Sequence, residues 1–142
     1  MSLGKSSPPE IYDTVLEQDV MVAARDGTLL ATDLHHPAQA GLPLPGPFPA
    51  LLQRTPYGKS AEARISEARF FAERGYVVVI QDCRGRYSSQ GGFTKYTEEG
   101  PDGFDTVEWL AQQPWSNGKV GTYGLSYAAH TQAALACLTP PT

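Results

Sequence analysis

Apolar residues fall into short runs separated by polar, glycine- and proline-rich stretches, and the spacing within each run assigns an element. Val20, Val22 and Ala24 alternate with their neighbours up to Arg25-Asp26-Gly27-Thr28, and Leu30, Thr32 and Leu34 alternate after it. Asp-Gly between two alternating runs predicts a β-hairpin, because glycine accepts the positive φ of a tight turn. Ala50-Leu51-Leu52 reads as a third short strand running into the polar turn Arg54-Thr55-Pro56-Tyr57-Gly58-Lys59. Ala61, Ile65, Ala68 and Ala72 recur at helical spacing with Phe71 beside them, and Gly75 stops that helix. Tyr76-Val77-Val78-Val79-Ile80 is a continuous apolar run, the pattern of a strand buried on both faces.

A long polar loop, Gln81 to Gly100, comes next. Asp102 and Asp105 then open a helix with Phe104, Val107, Leu110 and Ala111 on its apolar face, and Pro114 ends it. Acidic residues in a first turn suit the helix dipole. Lys119-Val120-Gly121-Thr122-Tyr123 is the last strand, turning sharply at Gly124-Leu125-Ser126-Tyr127 into an alanine-rich helix that reaches Leu138. The order β-β-β-α-β-α-β-α predicts an α/β fold with a parallel sheet and an antiparallel hairpin at its start. Pro37, Pro43, Pro45, Pro47 and Pro49 crowd one segment, predicted to be a stiff surface connector outside the strand ladder. Pro8-Pro9 and Pro140-Pro141 mark both ends as extended.

Composition narrows the function classes. The 142 residues suit one domain, and 41% hydrophobic with 18% charged residues supports a packed core. Eleven Lys and Arg against fifteen Asp and Glu give a net charge of −4, which argues against a nucleic-acid partner. No run approaches the ~18 apolar residues of a membrane span, so no membrane partner is expected. Met1 to Tyr12 lacks the apolar core of a signal peptide, and Cys83 and Cys137 are too few for a disulfide scaffold. A cytoplasmic protein is the expectation.

Chemistry in open α/β sheets gathers at the carboxyl ends of strands. Ser126 stands on such a strand-to-helix turn, two residues after Gly124. That is the front of a nucleophile elbow, which lifts Oγ above the sheet and places the next backbone N–H where an oxyanion forms. The same serine also suits a simple cap of the last helix. No Gly-x-x-x-x-Gly-Lys-Ser/Thr run supports phosphate binding, and the elbow lacks Gly-x-Gly-x-x-Gly.

Several spaced motifs break the tie. Tyr57-Gly58-Lys59 after Thr55-Pro56, Asp82-x-Arg84-Gly85-x-x-x-Ser89-x-Gly91, Asp102-Gly103-x-Asp105, Glu108-Trp109, Gln113-Pro114-Trp115, Asn117-Gly118, Val120-Gly121 and Gly124-x-Ser126-Tyr127 occur in that order. From about Val20 to Pro141 the chain resembles the cocaine esterase and Xaa-Pro dipeptidyl-peptidase group of α/β-hydrolases, the CocE/NonD hydrolases. The resemblance implies the N-terminal part of an α/β-hydrolase fold: a mostly parallel sheet with an antiparallel first hairpin and helices on both faces. Residues 1–14 would then be an extended N-terminal segment, and residues 15–142 a partial domain ending after the nucleophile helix.

The resemblance further implies a serine hydrolase cleaving esters or amides, Xaa-Pro dipeptides or acyl esters among them, through an acyl-enzyme on Ser126. Tyr57 resembles the tyrosine whose phenol donates to the oxyanion, and Tyr127 would supply the backbone N–H. A phenol keeps its proton at neutral pH and can donate without being consumed. No cofactor or metal is implied. The chain departs from the family at Ala129, where the pattern has glycine, and from the generic elbow at Ala128. Alanine is tolerable at both if φ there is negative.

The missing parts are equally informative. A serine nucleophile needs a base and a group to orient it, and α/β-hydrolases place both after the serine. Sixteen residues follow Ser126; none is Asp or Glu, and the one histidine, His130, reads as a buried or sheet-facing helix residue. The alternative to a serine hydrolase, or its nucleophile-bearing N-terminal fragment, is a catalytically incomplete, non-enzymatic α/β fragment whose last strand is an open, apolar edge, prone to self-association or to pairing with a complementing C-terminal segment. Asp82, Arg84 and Arg86 are expected to brace their loop by ion pairing, Asp102 and Asp105 to cap and charge a helix. His35 and His36 are expected on an edge strand without metal-ligand spacing, and Cys83 and Cys137 as core residues.

Overall fold

The computed structural model describes residues 11–138. The elements follow in the order β1 (Asp13–Ala23), β2 (Leu29–Gln39), β3 (Leu42–Pro43), β4 (Phe48–Thr55), α1 (Glu62–Ala72), β5 (Val77–Asp82), α2 (Glu99–Ala111), β6 (Ser116–Thr122) and α3 (Tyr127–Ala136). Pro8-Pro9 and Pro140-Pro141 lie outside the described residues, whereas Asp13 and Thr14 already belong to β1.

The Asp-Gly hairpin forms as its pattern predicts. Gly27 takes φ +83, its N–H bonds the Ala24 carbonyl, and Asp26 Oδ1 accepts the Thr28 N–H at 3.0 Å. The strand order is β1-β2-β5-β4-β6. The β1-β2 and β2-β5 pairs run antiparallel; β5-β4 and β4-β6 run parallel. The sheet is therefore mixed, with α1 and β5 completing one crossover and α2 and β6 the next.

Two expectations about strands need correction. The proline segment is not wholly outside the ladder: Leu42 and Pro43 pair with Gln39 and Ala38, and the Leu44 N–H bonds the Pro37 carbonyl. Proline lacks a donor but keeps its acceptor, so a two-residue rung survives. His35 and His36 are not on an edge strand. β2 is flanked by β1 and β5, and both imidazoles are buried.

Strand period two divides the core. Val77 and Val79 point to one face of β5 and pack with Leu34, Ala50, Leu52, Val107, Leu110 and Leu135, under α2 and α3. Val78 and Ile80 point to the other and pack with Ala68 and Ala72 of α1. All six residues of β5 are buried, as a strand covered on both faces requires. Two helices thus cover one face and a single helix the other.

Beneath the carboxyl ends of the strands lies a polar network. Arg54 at the end of β4 donates from Nη1 to Glu99 Oε2 at 2.9 Å and from Nε to Gln81 Oε1 at 2.6 Å. Gln81 Nε2 donates to Thr32 Oγ1, and Thr106 Oγ1 donates to Gln81 Oε1. Glu99 Oε1 is satisfied by the Tyr127 hydroxyl, whereas Arg54 Nη2 is buried without a partner, a residual cost of burying the pair.

Candidate active site

β4 and β6 run parallel, with Ala50 opposite Val120 and Leu52 opposite Thr122, and the Tyr123 N–H extends the ladder to the Leu52 carbonyl. Both strands deliver their loops to one end of the sheet. At that end Ser126 has φ 57 and ψ −122, a positive φ for a residue with a side chain. Such a conformation costs on the order of 1–3 kcal/mol and persists only where its surroundings enforce it. Ser126 occupies the cap position of α3, yet its side chain makes no capping hydrogen bond. Its Oγ instead lies 3.3 Å from the Tyr57 phenol oxygen.

Close packing explains the turn. Gly124 has φ +137, and a Cβ there would stand 2.6 Å from the Ala128 Cβ and 2.9 Å from Gln53 Nε2. Ala128 and Ala129 lie within α3 and neither has a positive φ, so both departures from the glycine pattern fit without strain. The helix begins at Tyr127. The Tyr127 N–H therefore has no intrahelical acceptor and points out of the helix beside Ser126.

Tyr57 is 47% exposed as a residue, but its backbone is tightly held. Its N–H bonds Thr55 Oγ1 at 3.0 Å, and Arg86 Nε bonds the adjoining Pro56 carbonyl at 3.1 Å. The Tyr127 side chain has a second role absent from the sequence reading. Its hydroxyl donates to Glu99 Oε1 and accepts the Tyr96 N–H, while its ring stacks on Tyr96 at 5.0 Å. Burial first, and Glu99 with it, pushes the Tyr127 phenol up to about 12.

A cavity of about 580 Å³ opens beside Ser126 on the α1 face, with Tyr57, Arg64, Glu67, Phe71, Tyr123 and Leu125 in its wall. Arg64 Nε and the Tyr123 hydroxyl are buried without a partner. Burial raises the Tyr123 phenol above its ordinary range, keeping it protonated. Arg64, Glu67 and Tyr123 escaped the sequence reading because a helix face and a strand end meet only in three dimensions.

The remaining polar residues divide into agreement and correction. Arg84 does brace its loop, but through Asp26 and Asp102 rather than Asp82. α2 starts three residues before Asp102, so Asp102 charges the first turn as expected but holds Arg84 instead of capping, and Asp105 pairs with Arg25. Asp82 accepts the N–H groups of Lys59 and Ser88, and burial raises its pKa against those bonds. His130 packs edge-on to Tyr96 and Tyr127. Among the described residues, no histidine or carboxylate hydrogen-bonds Ser126 Oγ, and no group of His, Cys, Asp and Glu has metal-binding arrangement. Cys83 is buried, as expected, and burial pushes its thiol up; Cys137 is exposed rather than core. Among the described residues β6 pairs only with β4, leaving an open edge, but Ser116, Asn117 and Lys119 make it more polar than expected. No helix among the described residues is long and apolar enough to cross a membrane.

Residues 26–142 match the X-Pro dipeptidyl-peptidase (S15 family) profile. The chain is 40% identical over 118 residues to the cocaine esterase of a Rhodococcus species, which covers 80% of this chain and 20% of that protein. A putative serine esterase of Mycobacterium tuberculosis is 33% identical over 126 residues, covering 75% of this chain and 20% of its own. Among solved structures, a CocE/NonD family hydrolase of Staphylococcus aureus superposes with a TM-score of 0.79 at 30% identity, over 90% of this chain and 26% of that one. An α-amino acid ester hydrolase gives 0.75 at 28% identity, over 98% of this chain and 26% of its own. The chain spans about one-fifth of the length of the curated relatives it matches.

Proposed function

The chain belongs to the X-Pro dipeptidyl-peptidase (S15) family, and on that premise we propose that it carries the nucleophile and oxyanion donors of a serine hydrolase but is catalytically incomplete by itself. In this reading Ser126 Oγ attacks an ester or amide carbonyl while its proton passes to a base supplied from outside the described residues. The carbonyl π electrons move to oxygen, and the oxyanion accepts hydrogen bonds from the Tyr57 hydroxyl and the Tyr127 N–H. Collapse expels the alcohol or amine and leaves an acyl-enzyme for water to cleave. The chemistry uses no cofactor, and acyl esters, amino-acid esters and Xaa-Pro peptides are the candidate substrates of a cytoplasmic enzyme.

The observation that carries the reading is the strained Ser126 turn with Tyr57 at 3.3 Å, opening on a cavity. Supporting the incompleteness, no histidine or carboxylate among the described residues hydrogen-bonds Ser126 Oγ to act as its base. Without one, Ser126 keeps an ordinary, weakly nucleophilic hydroxyl.

A fluorophosphonate probe and a 4-nitrophenyl ester test the two halves separately. Slow labelling that disappears in Ser126→Ala, with no ester turnover above that variant, is the expected result. No labelling at Ser126 would overturn the nucleophile assignment; turnover abolished by Ser126→Ala would overturn the incompleteness. A second reading, a non-enzymatic segment that associates through its sheet edge, is favoured by the open side of β6. A compact monomer by light scattering, unfolding in two states, would count against it.

A further inference from the structure

The loop that carries Tyr57 ends at Lys59, a residue the chemistry above does not use. Lys59 is 4% exposed. Its Nζ lies 2.7 Å from Asp19 Oδ1 and 2.9 Å from Asp33 Oδ1. Its backbone N–H bonds Asp82 Oδ1 at 2.9 Å. One residue therefore ties the loop to β1, β2 and β5 at once.

Each partner is itself prepared for the task. Asp19 sits in an irregularity of β1, between Glu17 and Val20, with φ 53, and its own N–H bonds Asp33 Oδ1 at 3.0 Å. The bulge aims the Asp19 carboxylate across β2 toward the loop, a common use of an extra strand residue. Asp82 uses its other oxygen to accept the Ser88 N–H. Burial works against the Lys59 charge, but Asp19 and Asp33 outweigh it and raise its pKa, so the ammonium stays charged. Removing it would leave Asp33 buried without a counter-charge, and the structure would move to relieve that.

We propose that Lys59 is a positioning residue for Tyr57: the Asp19–Lys59–Asp33 cluster, with Lys59 and Asp33 buried, holds the 55–59 loop so that the Tyr57 phenol stays within reach of Ser126 Oγ. The inference rests on the assignment of Tyr57 and Ser126 given above and adds the device that sets their distance. Gly58, between Tyr57 and Lys59, takes φ +94, and a Cβ there would stand 3.2 Å from the Tyr87 ring. The loop is thus pinned on both sides of a residue without a side chain. An oxyanion donor misplaced by about 1 Å loses most of its benefit.

The test reads the Tyr57–Ser126 contact without requiring turnover. 3-Fluorotyrosine is placed at position 57 of the full chain, and its ¹⁹F shift is compared between Ser126 and Ser126→Ala proteins. With Lys59 present, removing the Ser126 hydroxyl should move the signal; in Lys59→Met that response should collapse, with the α/β circular dichroism retained. Fluorophosphonate labelling of Ser126 should slow about tenfold or more in Lys59→Met, and methylammonium added to Lys59→Ala should recover part of the rate.

An undiminished Ser126-dependent shift in folded Lys59→Met would overturn the proposal, whatever Ser126 does chemically. A collapsed shift with no labelling in any variant would support the role of Lys59 and refute the nucleophile reading instead. If Lys59→Met does not fold, Asp19→Ala decides the matter. Its carboxylate is more than half exposed, and it should weaken the response partly, an unchanged response again overturning the proposal.

Discussion

Replacing Gly124 by alanine is expected to damage the Ser126 turn in a way that can be measured in parts. The first part is backbone strain. Gly124 holds φ +137, and a non-glycine residue at such a φ costs about 1–2 kcal/mol. The second is steric. The new Cβ would stand 2.6 Å from the Ala128 Cβ, which α3 fixes, and 2.9 Å from Gln53 Nε2, the movable end of a side chain. Overpacking of this kind costs about 1–3 kcal/mol, so the total is about 2–5 kcal/mol. Gly118→Ala supplies the control: it has φ +84 but meets nothing within 4 Å, so only the first part applies.

Urea unfolding of both variants, followed by circular dichroism, isolates the steric part as the difference between them. Adding Ala128→Gly to Gly124→Ala removes the rigid contact, at a helix cost of about 1 kcal/mol. The double variant should therefore lose less than the two single changes together. Gly124→Ala unfolding at the same urea concentration as Gly118→Ala would refute the reasoning, because the close approach of α3 would then not be what demands glycine.

Breaking the Arg54–Glu99 pair with Arg54→Met strands a buried carboxylate and should cost about 3–5 kcal/mol in urea unfolding, with much of it recovered in Arg54→Met/Glu99→Leu; equal losses in both would contradict this. His35 and His36 are held below the ordinary histidine pKa, by burial first, so the unfolded chain binds more protons as pH falls through about 6.5. Stability is therefore full above that pH and falls below it, by at most about 1.4 kcal/mol per pH unit for each histidine. A urea midpoint that stays level from pH 7.5 to 5.5, or an unaltered slope in His35→Asn/His36→Asn, would speak against it. Ellman's reagent should titrate Cys137 in the native protein and Cys83 only after unfolding, and rapid native reaction of two thiols would show that Cys83 is not buried.

Period and turn chemistry made most of the framework legible. Asp26-Gly27 announced its hairpin, and the unbroken run from Tyr76 to Ile80 announced a strand covered on both sides, because local spacing alone determines those outcomes. Ser126 and Tyr57 were legible through ordered motifs, and the structure brings them to 3.3 Å. What escaped the sequence depends on long-range partners. Arg84 reaches Asp26 and Asp102 rather than its near neighbour Asp82, since the loop folds back over the hairpin turn. Lys59 lies within the Tyr57-Gly58-Lys59 motif, yet its use depends on a bulge forty residues earlier in the chain that points the Asp19 carboxylate at it. Cys137 among alanines looked internal, but α3 ends just before it and turns its side chain outward.

The strand order has a consequence for how the protein is made. β1, β2, β4 and β5 are complete by Asp82, and their mutual pairings need nothing that follows. During synthesis that four-stranded platform is available before α2, β6 and the Ser126 turn leave the ribosome. Among the described strands β6 then has one vacant flank on which to settle, β4, and the Ser126 turn follows it onto a platform of strands made before it. The Lys59 tether, all of whose side-chain and backbone partners lie at or before residue 82, sets the Tyr57 loop in advance of the serine it will meet.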